Sequence, residues 1–186
     1  MRSLLPVLAE DLGADERTLR RAARRGAVRC RRPGPRQLEL DAGELDYLRS
    51  HWELLHKLTQ AMRTERNVRL AVLYGSAARG DDRRDSDVDL LVALRAPTPG
   101  VTSALATRFE RALGRHVDVA ELGRVEEDAP LLLLYALDEG RVLVDRDMRW
   151  PALLARRGEV ARAAKRAESA ERRAAEESWR MLVEDA

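Results

Sequence analysis

Two apolar runs of seven residues, VRLAVLY from Val68 to Tyr74 and VDLLVAL from Val88 to Leu94, constrain this chain more than any other feature. Runs this short and this rich in Val and Leu read as buried strands rather than helices. Gly75 closes the first, and Ser76, Ala77, Ala78 and Arg79 make the first turn of a short helix. A polar loop from Gly80 to Ser86 leads to the second run, which Asp87 precedes and Asp89 interrupts. A strand, a tight helical turn and a returning strand call for a small mixed sheet flanked by helices. The fold class is therefore α/β, with α+β character.

The chemistry lies at the ends of those runs. A helix entered through Gly75-Ser76 offers unpaired backbone N–H groups and partial positive charge, a place for phosphate. Residues two apart on a strand point the same way, so Asp87 and Asp89 emerge together, roughly 6 to 7 Å apart along the backbone. Two such carboxylates repel unless a cation neutralises them. Mg²⁺ suits oxygen-only ligation with room for phosphate oxygens, and a pair of ions can orient an attacking oxygen and stabilise a leaving pyrophosphate. A third carboxylate is expected on a neighbouring strand. His116 to Leu122 alternates as a strand does and puts Asp118 in parity with His116 and Ala120. His116 itself reads as a packing or surface residue rather than a base. Pro130 to Asp138 reads as an apolar helix and Arg141 to Val144 as a closing strand.

Among 186 residues there are 34 basic and 32 acidic side chains, one cysteine and three histidines. No apolar run approaches the roughly 20 residues that span a bilayer, and Pro6, Glu10 and Asp11 interrupt the N-terminus before a signal-peptide core can form. A cytoplasmic protein without membrane contact is expected. Cys30 alone excludes an internal disulfide, and the scattered histidines exclude the usual zinc spacings. Only Lys57 and Lys165 are lysines, so arginine carries the positive charge. From Arg17 to Arg36 there are nine arginines and no acid, a candidate phosphate-binding surface.

That basic stretch belongs to an N-terminal module. Ser3 to Leu12 fits a short helix closed by Gly13. Asp15 caps a second, with Leu19, Ala22 and Ala23 facing the core and the arginines facing out, and Gly26 ends it. AVRCRRPGPRQLEL then reads as two short strands around Arg32-Pro33-Gly34-Pro35. The order resembles the excisionase or MerR-like winged helix-turn-helix, which implies duplex DNA binding. The helix from Glu16 to Arg25 would read the major groove, and Arg31, Arg32 and Arg36 would lie near phosphates. The DNA-facing set is then Arg17, Arg20, Arg21, Arg24, Arg25, Arg31, Arg32 and Arg36. The alternative is a three-helix adaptor whose basic face is solvated or binds RNA or protein. One helix from Asp41 to about Arg66 follows, giving a division into 1–50, a connecting helix 51–66, a catalytic unit 67–147 and a C-terminal helix 148–186.

Gly75-Ser76, ten residues, then Asp87-x-Asp89 resembles the nucleotidyltransferase signature of the DNA polymerase beta superfamily. LYGSAARGDDRRDSDVDLLVAL, then GRHVDVAEL, then APLLLLYALDEGRVLVDRD, is similar to the minimal nucleotidyltransferases, the antitoxin half of HEPN/MNT toxin–antitoxin pairs. The resemblance implies transfer of a nucleotide, foremost AMP from ATP, with release of pyrophosphate. Gly75 and Ser76 would hold the triphosphate, and Arg79 and Arg83 would touch phosphates. Asp87, Asp89 and Asp118 would ligate Mg²⁺, and Asp118 would help activate the acceptor hydroxyl. The acceptor it implies is a HEPN ribonuclease toxin, with a winged helix able to repress the operon. Two alternatives stay open: a toxin that modifies the tRNA 3′ end, and a DNA-binding regulator whose transferase unit senses nucleotide or is inactive.

Pro151 opens a long helix read from Ala152 to Val183. Val160, Ala163, Ala167, Ala170, Ala174 and Met181 mark a narrow seam, and Trp179 is an anchor. The seam serves a homo-oligomer or partner interface, or it packs back on its own domain.

Overall fold

The two apolar runs become neighbouring antiparallel strands, β1 (Val68–Tyr74) and β2 (Val88–Leu94). β3 (Val117–Glu121) runs parallel to β2, and β4 (Arg141–Asp145) is antiparallel to β1, so the computed structural model holds one mixed sheet in the order β3-β2-β1-β4. It describes residues 5–34, 37–83 and 85–184. Arg36, Pro35 and the side chains of Trp179 and Met181 lie outside the described residues.

Apart from Arg69 and Asp89 both strands are apolar, because helices cover both faces of the sheet. In chain order these are α1 (Leu5–Asp11), α2 (Glu16–Arg25), α3 (Ala42–Thr64), α4 (Gly75–Arg79), α5 (Val101–Leu113), α6 (Leu122–Asp128), α7 (Pro130–Glu139), α8 (Arg149–Ala155) and α9 (Arg157–Glu184). Ala71, Leu73, Leu90 and Val92 pack with α1, α2, α3 and α5. The alternate residues Leu70, Val72, Leu91 and Ala93 pack with α6, α7, α8 and α9. No helix among the described residues is long and apolar enough to cross a membrane.

Local signals place the N-terminal helices. Asp15 accepts the Arg17 N–H at 2.7 Å, Gly26 caps α2 at φ +93°, and Asp41 accepts the Glu44 N–H at 2.8 Å to start α3. α3 then runs unbroken for 23 residues. Leu8, Leu19, Ala22, Ala23 and Val28 pack into the same cluster as Leu48, Leu55 and Leu143 of α3 and β4. A buried ion pair ties these parts together. The Arg141 guanidinium, 1% exposed as a side chain, meets Glu44 at 2.7 and 2.9 Å, donates to the carbonyls of Ala78 and Ala27, and lies 3.4 Å from the centre of the Tyr47 ring.

Two expectations change. In place of two strands around Pro33-Gly34, the described residues hold one bridge, Arg31 to Glu39. The Arg29 N–H goes to the Glu44 carboxylate at 2.9 Å instead of a partner strand, and the prolines withhold ladder donors. The C-terminal helix is split at Arg156, whose N–H bonds back to Leu153. Leu153 of α8 and Val160 of α9 both pack into the core beneath β4 and α7. α5 and α6 were not anticipated, although Val101, Leu105 and Phe109 recur at four-residue steps between Gly100 and Gly114.

Candidate active site

Strand register assembles the carboxylates. Asp89 sits opposite Tyr74 on β1 and opposite Asp118 on β3. By alternation Tyr74, Asp89 and Asp118 share the face that carries Leu91 and Ala120, the side covered by α7 and α9. Asp87, one residue before β2, follows the same parity. The ligand atoms of Asp87, Asp118 and His116 lie within 4.8 Å of one another, all on exposed residues. Asp89 is the inner member. Burial pushes its pKa up, and Asp118, Asp87 and Glu139 add to the rise against a smaller opposing effect of Arg79. The three acids thus converge and repel. Burial, with Asp89 and Asp118 beside it, also pushes the Tyr74 hydroxyl up to about 12.

β1 ends in a backbone position that only glycine suits. Gly75 has φ +72°, and a Cβ there would lie 2.3 Å from Asp89 Oδ2. The strand-to-helix turn therefore presses directly on the carboxylate site. Gly75→Ala combines left-handed strain with displacement of Asp89; we expect about a 100-fold loss of activity from misplacement alone, read in steady-state kinetics beside a thermal melt showing that the variant is folded. Activity within a few-fold of wild type would show that Asp89 is not held to this position.

The cradle itself carries an anion from the chain. Glu139, at the end of α7, accepts the Gly75 N–H at 2.9 Å and the Arg79 guanidinium at 2.9 and 2.8 Å. Arg79 is also held by Asp81 at 3.1 Å. Ser76 is partly exposed on the first turn of α4. Arg83 is exposed in the loop, and among the described residues its guanidinium makes no hydrogen bond or ion pair; only its backbone is fixed, by Ser86 Oγ at 2.9 Å. The structure thus brings Gly75 and Arg79 to Asp89, with Ser76 next along α4, but does not bring Arg83 in.

Comparison with known proteins was decisive for the family. Residues 56–149 match the family model described as polymerase beta, nucleotidyltransferase. The chain belongs to that family. Among curated proteins, none matches it. Among solved structures it is similar to a chain of a toxin–antitoxin crystal structure with AMP-PNP, at 19% identity and a TM-score of 0.53, over 62% of this chain and 93% of that one. It is similar also to a chain of the tri-AMPylated Shewanella oneidensis HEPN toxin in complex with MNT antitoxin, at 16% identity and a TM-score of 0.50, over 64% and 93%. At these identities the shared property is the fold.

Sequence reading missed several residues around this nucleotidyltransferase site. His116 is exposed, as anticipated, yet it joins the acids: Nδ1 lies 2.5 Å from Glu110 and Nε2 3.6 Å from Asp118. Glu110, with lesser help from Asp87 and Asp118, holds the imidazole above its usual range. The loop that delivers Asp87 is clamped by Asp82, which pairs with His51 of α3 at 2.6 Å and with Arg115 at 2.8 Å. Burial opposes ionisation of Asp82, but His51 and Arg115 outweigh it and hold the carboxyl below its usual range. Arg115 also donates to the Ser86 carbonyl at 2.7 Å. Beside Asp89 an open pocket is lined by Tyr74, Leu131, Tyr135 and Glu168. Only the acid pair and the glycine had a local signature; these partners come from distant parts of the chain.

The basic set divides by position. Arg17, Arg21, Arg24, Arg31 and Arg32 are exposed, and Arg32 reaches the Ala23 carbonyl at 2.6 Å. Arg20 pairs with Glu16 at 2.5 Å, while Arg25 is partly buried against α3.

Proposed function

We propose that this nucleotidyltransferase transfers AMP from ATP to a hydroxyl of a partner protein, a HEPN-type toxin, in the cytoplasm, and so acts as an antitoxin. The observation that carries the reading is the convergence of Asp87, Asp89 and Asp118 beside the glycine turn at Gly75-Ser76. In the transfer, the acceptor oxygen bonds to the α-phosphorus as the bond to the β-phosphate oxygen breaks, and pyrophosphate leaves. Asp118, the most exposed acid on β3, takes the acceptor proton. Gly75, Ser76 and Arg79 orient the phosphates, with Glu139 giving up Arg79 to them; Arg83 joins only by movement of its loop.

The carboxylates of Asp87, Asp89 and Asp118, with unrelieved repulsion at Asp89, give a mainly oxygen donor set that fits Mg²⁺, with the His116 imidazole beside Asp87 and Asp118. Asp87, Asp89 and Asp118 would hold the two ions, which supply charge neutralisation at the phosphate oxygens. The partner assignment is supported by likeness to a chain from a complex of AMPylated HEPN toxin and MNT antitoxin. The exposed stretch of α9 at residues 168–177 is the candidate interface for that partner or for a second copy.

Incubation with each α-labelled NTP, Mg²⁺ and either a HEPN-type partner or total tRNA tests the reading. Label from ATP on the protein is expected. Label confined to tRNA would establish the 3′-end alternative, and no label in either arm would favour an inactive, nucleotide-sensing regulator.

A second reading rests on the exposed arginines of α2. The 1–50 stretch contacts duplex DNA and lets the antitoxin repress its own operon. Affinity for duplex that does not fall as salt rises would discard it.

A further inference from the structure

α2 and α3 meet along a groove on the sheet face opposite the carboxylates. Its polar lining includes Thr18, Arg21 and Arg25 from α2, and His56, Gln60 and Arg63 from α3. The groove lies farther along α3 than Tyr47, which bonds the Ala77 carbonyl of α4, and His51, which pairs with Asp82 in the loop before Asp87. None of these six residues takes part in the carboxylate site or its cradle.

The charge in this groove is uncompensated. Among the described residues no carboxylate pairs with Arg21, Arg25 or Arg63, whereas Arg20 one residue away is paired with Glu16. Arg25 Nε is buried and has no hydrogen-bond partner among the described residues. Burial, then Arg63, then Arg21 lower the Arg25 pKa, so each neighbour opposes the charge and none supports it. Arg63 is exposed at the rim, and among the described residues its guanidinium bonds only to Gln60, at 3.1 Å. A buried donor without an acceptor, among guanidiniums that repel one another, favours the approach of an anion.

Guanidinium forks match phosphate oxygens in geometry as well as charge. The row also extends beyond the groove. Arg17 and Arg24 lie four residues before and three after Arg21, on the same side of α2, and both are exposed. Charges in series along a helix address anions in series, which is the property of a nucleic-acid backbone and not of a lone phosphate.

We propose that the α2–α3 groove seats a backbone phosphate of nucleic acid between Arg21, Arg25 and Arg63, apart from the catalytic centre. This rests on the nucleic-acid reading of the basic face, but it adds Arg63 from α3 and places a phosphate, not base edges, against Arg21 and Arg25. α3 then links the bound strand to the catalytic loop, since the same helix carries His51.

The test uses the full chain and four probes: duplex DNA, tRNA, inorganic pyrophosphate and inorganic phosphate, each titrated at rising salt. Wild type is expected to bind a nucleic acid in a salt-dependent manner. Arg63→Gln and Arg25→Gln are each expected to weaken that binding about ten-fold and to reduce the salt slope by about 1. Arg111→Gln on α5 removes the same charge elsewhere and should leave both unchanged. Without ligand, Arg63→Gln should melt at a higher temperature than wild type, because a repelling charge next to Arg25 is gone; nucleotidyl transfer should be unaltered. If wild type binds neither DNA nor tRNA, the nucleic-acid reading fails and the groove assignment with it. If wild type binds but the Arg25 and Arg63 variants match it, the reading stands and the groove assignment is overturned. Binding of pyrophosphate or phosphate alone overturns the backbone assignment as well.

Discussion

Under the proposed mechanism, replacing Asp87 and Asp89 together by Asn is expected to abolish Mg²⁺-dependent transfer. Metal-assisted charge stabilisation accounts for several kcal/mol of barrier, so the expected loss is at least about 1,000-fold. Full activity in the double variant would end the carboxylate mechanism. The single substitution Asp89→Asn carries a second signature, in stability. Because burial and the neighbouring acids raise the Asp89 pKa in the folded state, its favourable contribution is present below the unfolded carboxyl pKa and is lost as pH rises through the folded one. Without metal, ionisation of Asp89 therefore opposes the fold. Asp89→Asn should melt above wild type at neutral pH in EDTA, and the gap should close under acid. A gap that does not change with pH would mean that mutual repulsion is not what sets the site.

The second large effect concerns Arg141. Its guanidinium is buried and bonded at once to Glu44, Ala27 and Ala78, which belong to α3, to the segment after α2 and to α4. Arg141→Met leaves the Glu44 carboxylate buried without its partner, and removal of one member of such a pair costs about 3–5 kcal/mol. The midpoint of urea unfolding should fall accordingly, with transfer activity declining as α4 loses its tether. Adding Glu44→Gln to Arg141→Met should recover part of the loss, since the residual partner is then neutral. A drop below about 1 kcal/mol in the single variant would show that water reaches the pair and screens it.

Much of this fold is legible from neighbouring residues. Asp15 and Asp41 announce their helices because a side-chain oxygen two or three residues upstream meets the N–H groups that a helix start leaves open. β1 and β2 follow from apolar runs too short for helices. The parity of Asp118 with Ala120 was also readable, and the register of β3 against β2 sets it opposite Asp89. The two strands expected around Pro33-Gly34 shrink to the Arg31–Glu39 bridge, because the Arg29 N–H is taken by Glu44, fifteen residues on. The C-terminal segment carries one breaker, Gly158, yet the helix breaks at Arg156, two residues before it.

What the sequence determined by itself is the set of parts: two buried strands, a glycine turn, acids in phase and a basic helix, all governed by backbone sterics and side-chain period. Only the tertiary structure decided which distant groups meet those parts. Glu139 is 64 residues from Gly75, Arg141 is 97 from Glu44, and Arg63 approaches Arg25 across two helices. Such pairings depend on how helices pack against a twisted sheet, a property of shape and burial that no local pattern encodes.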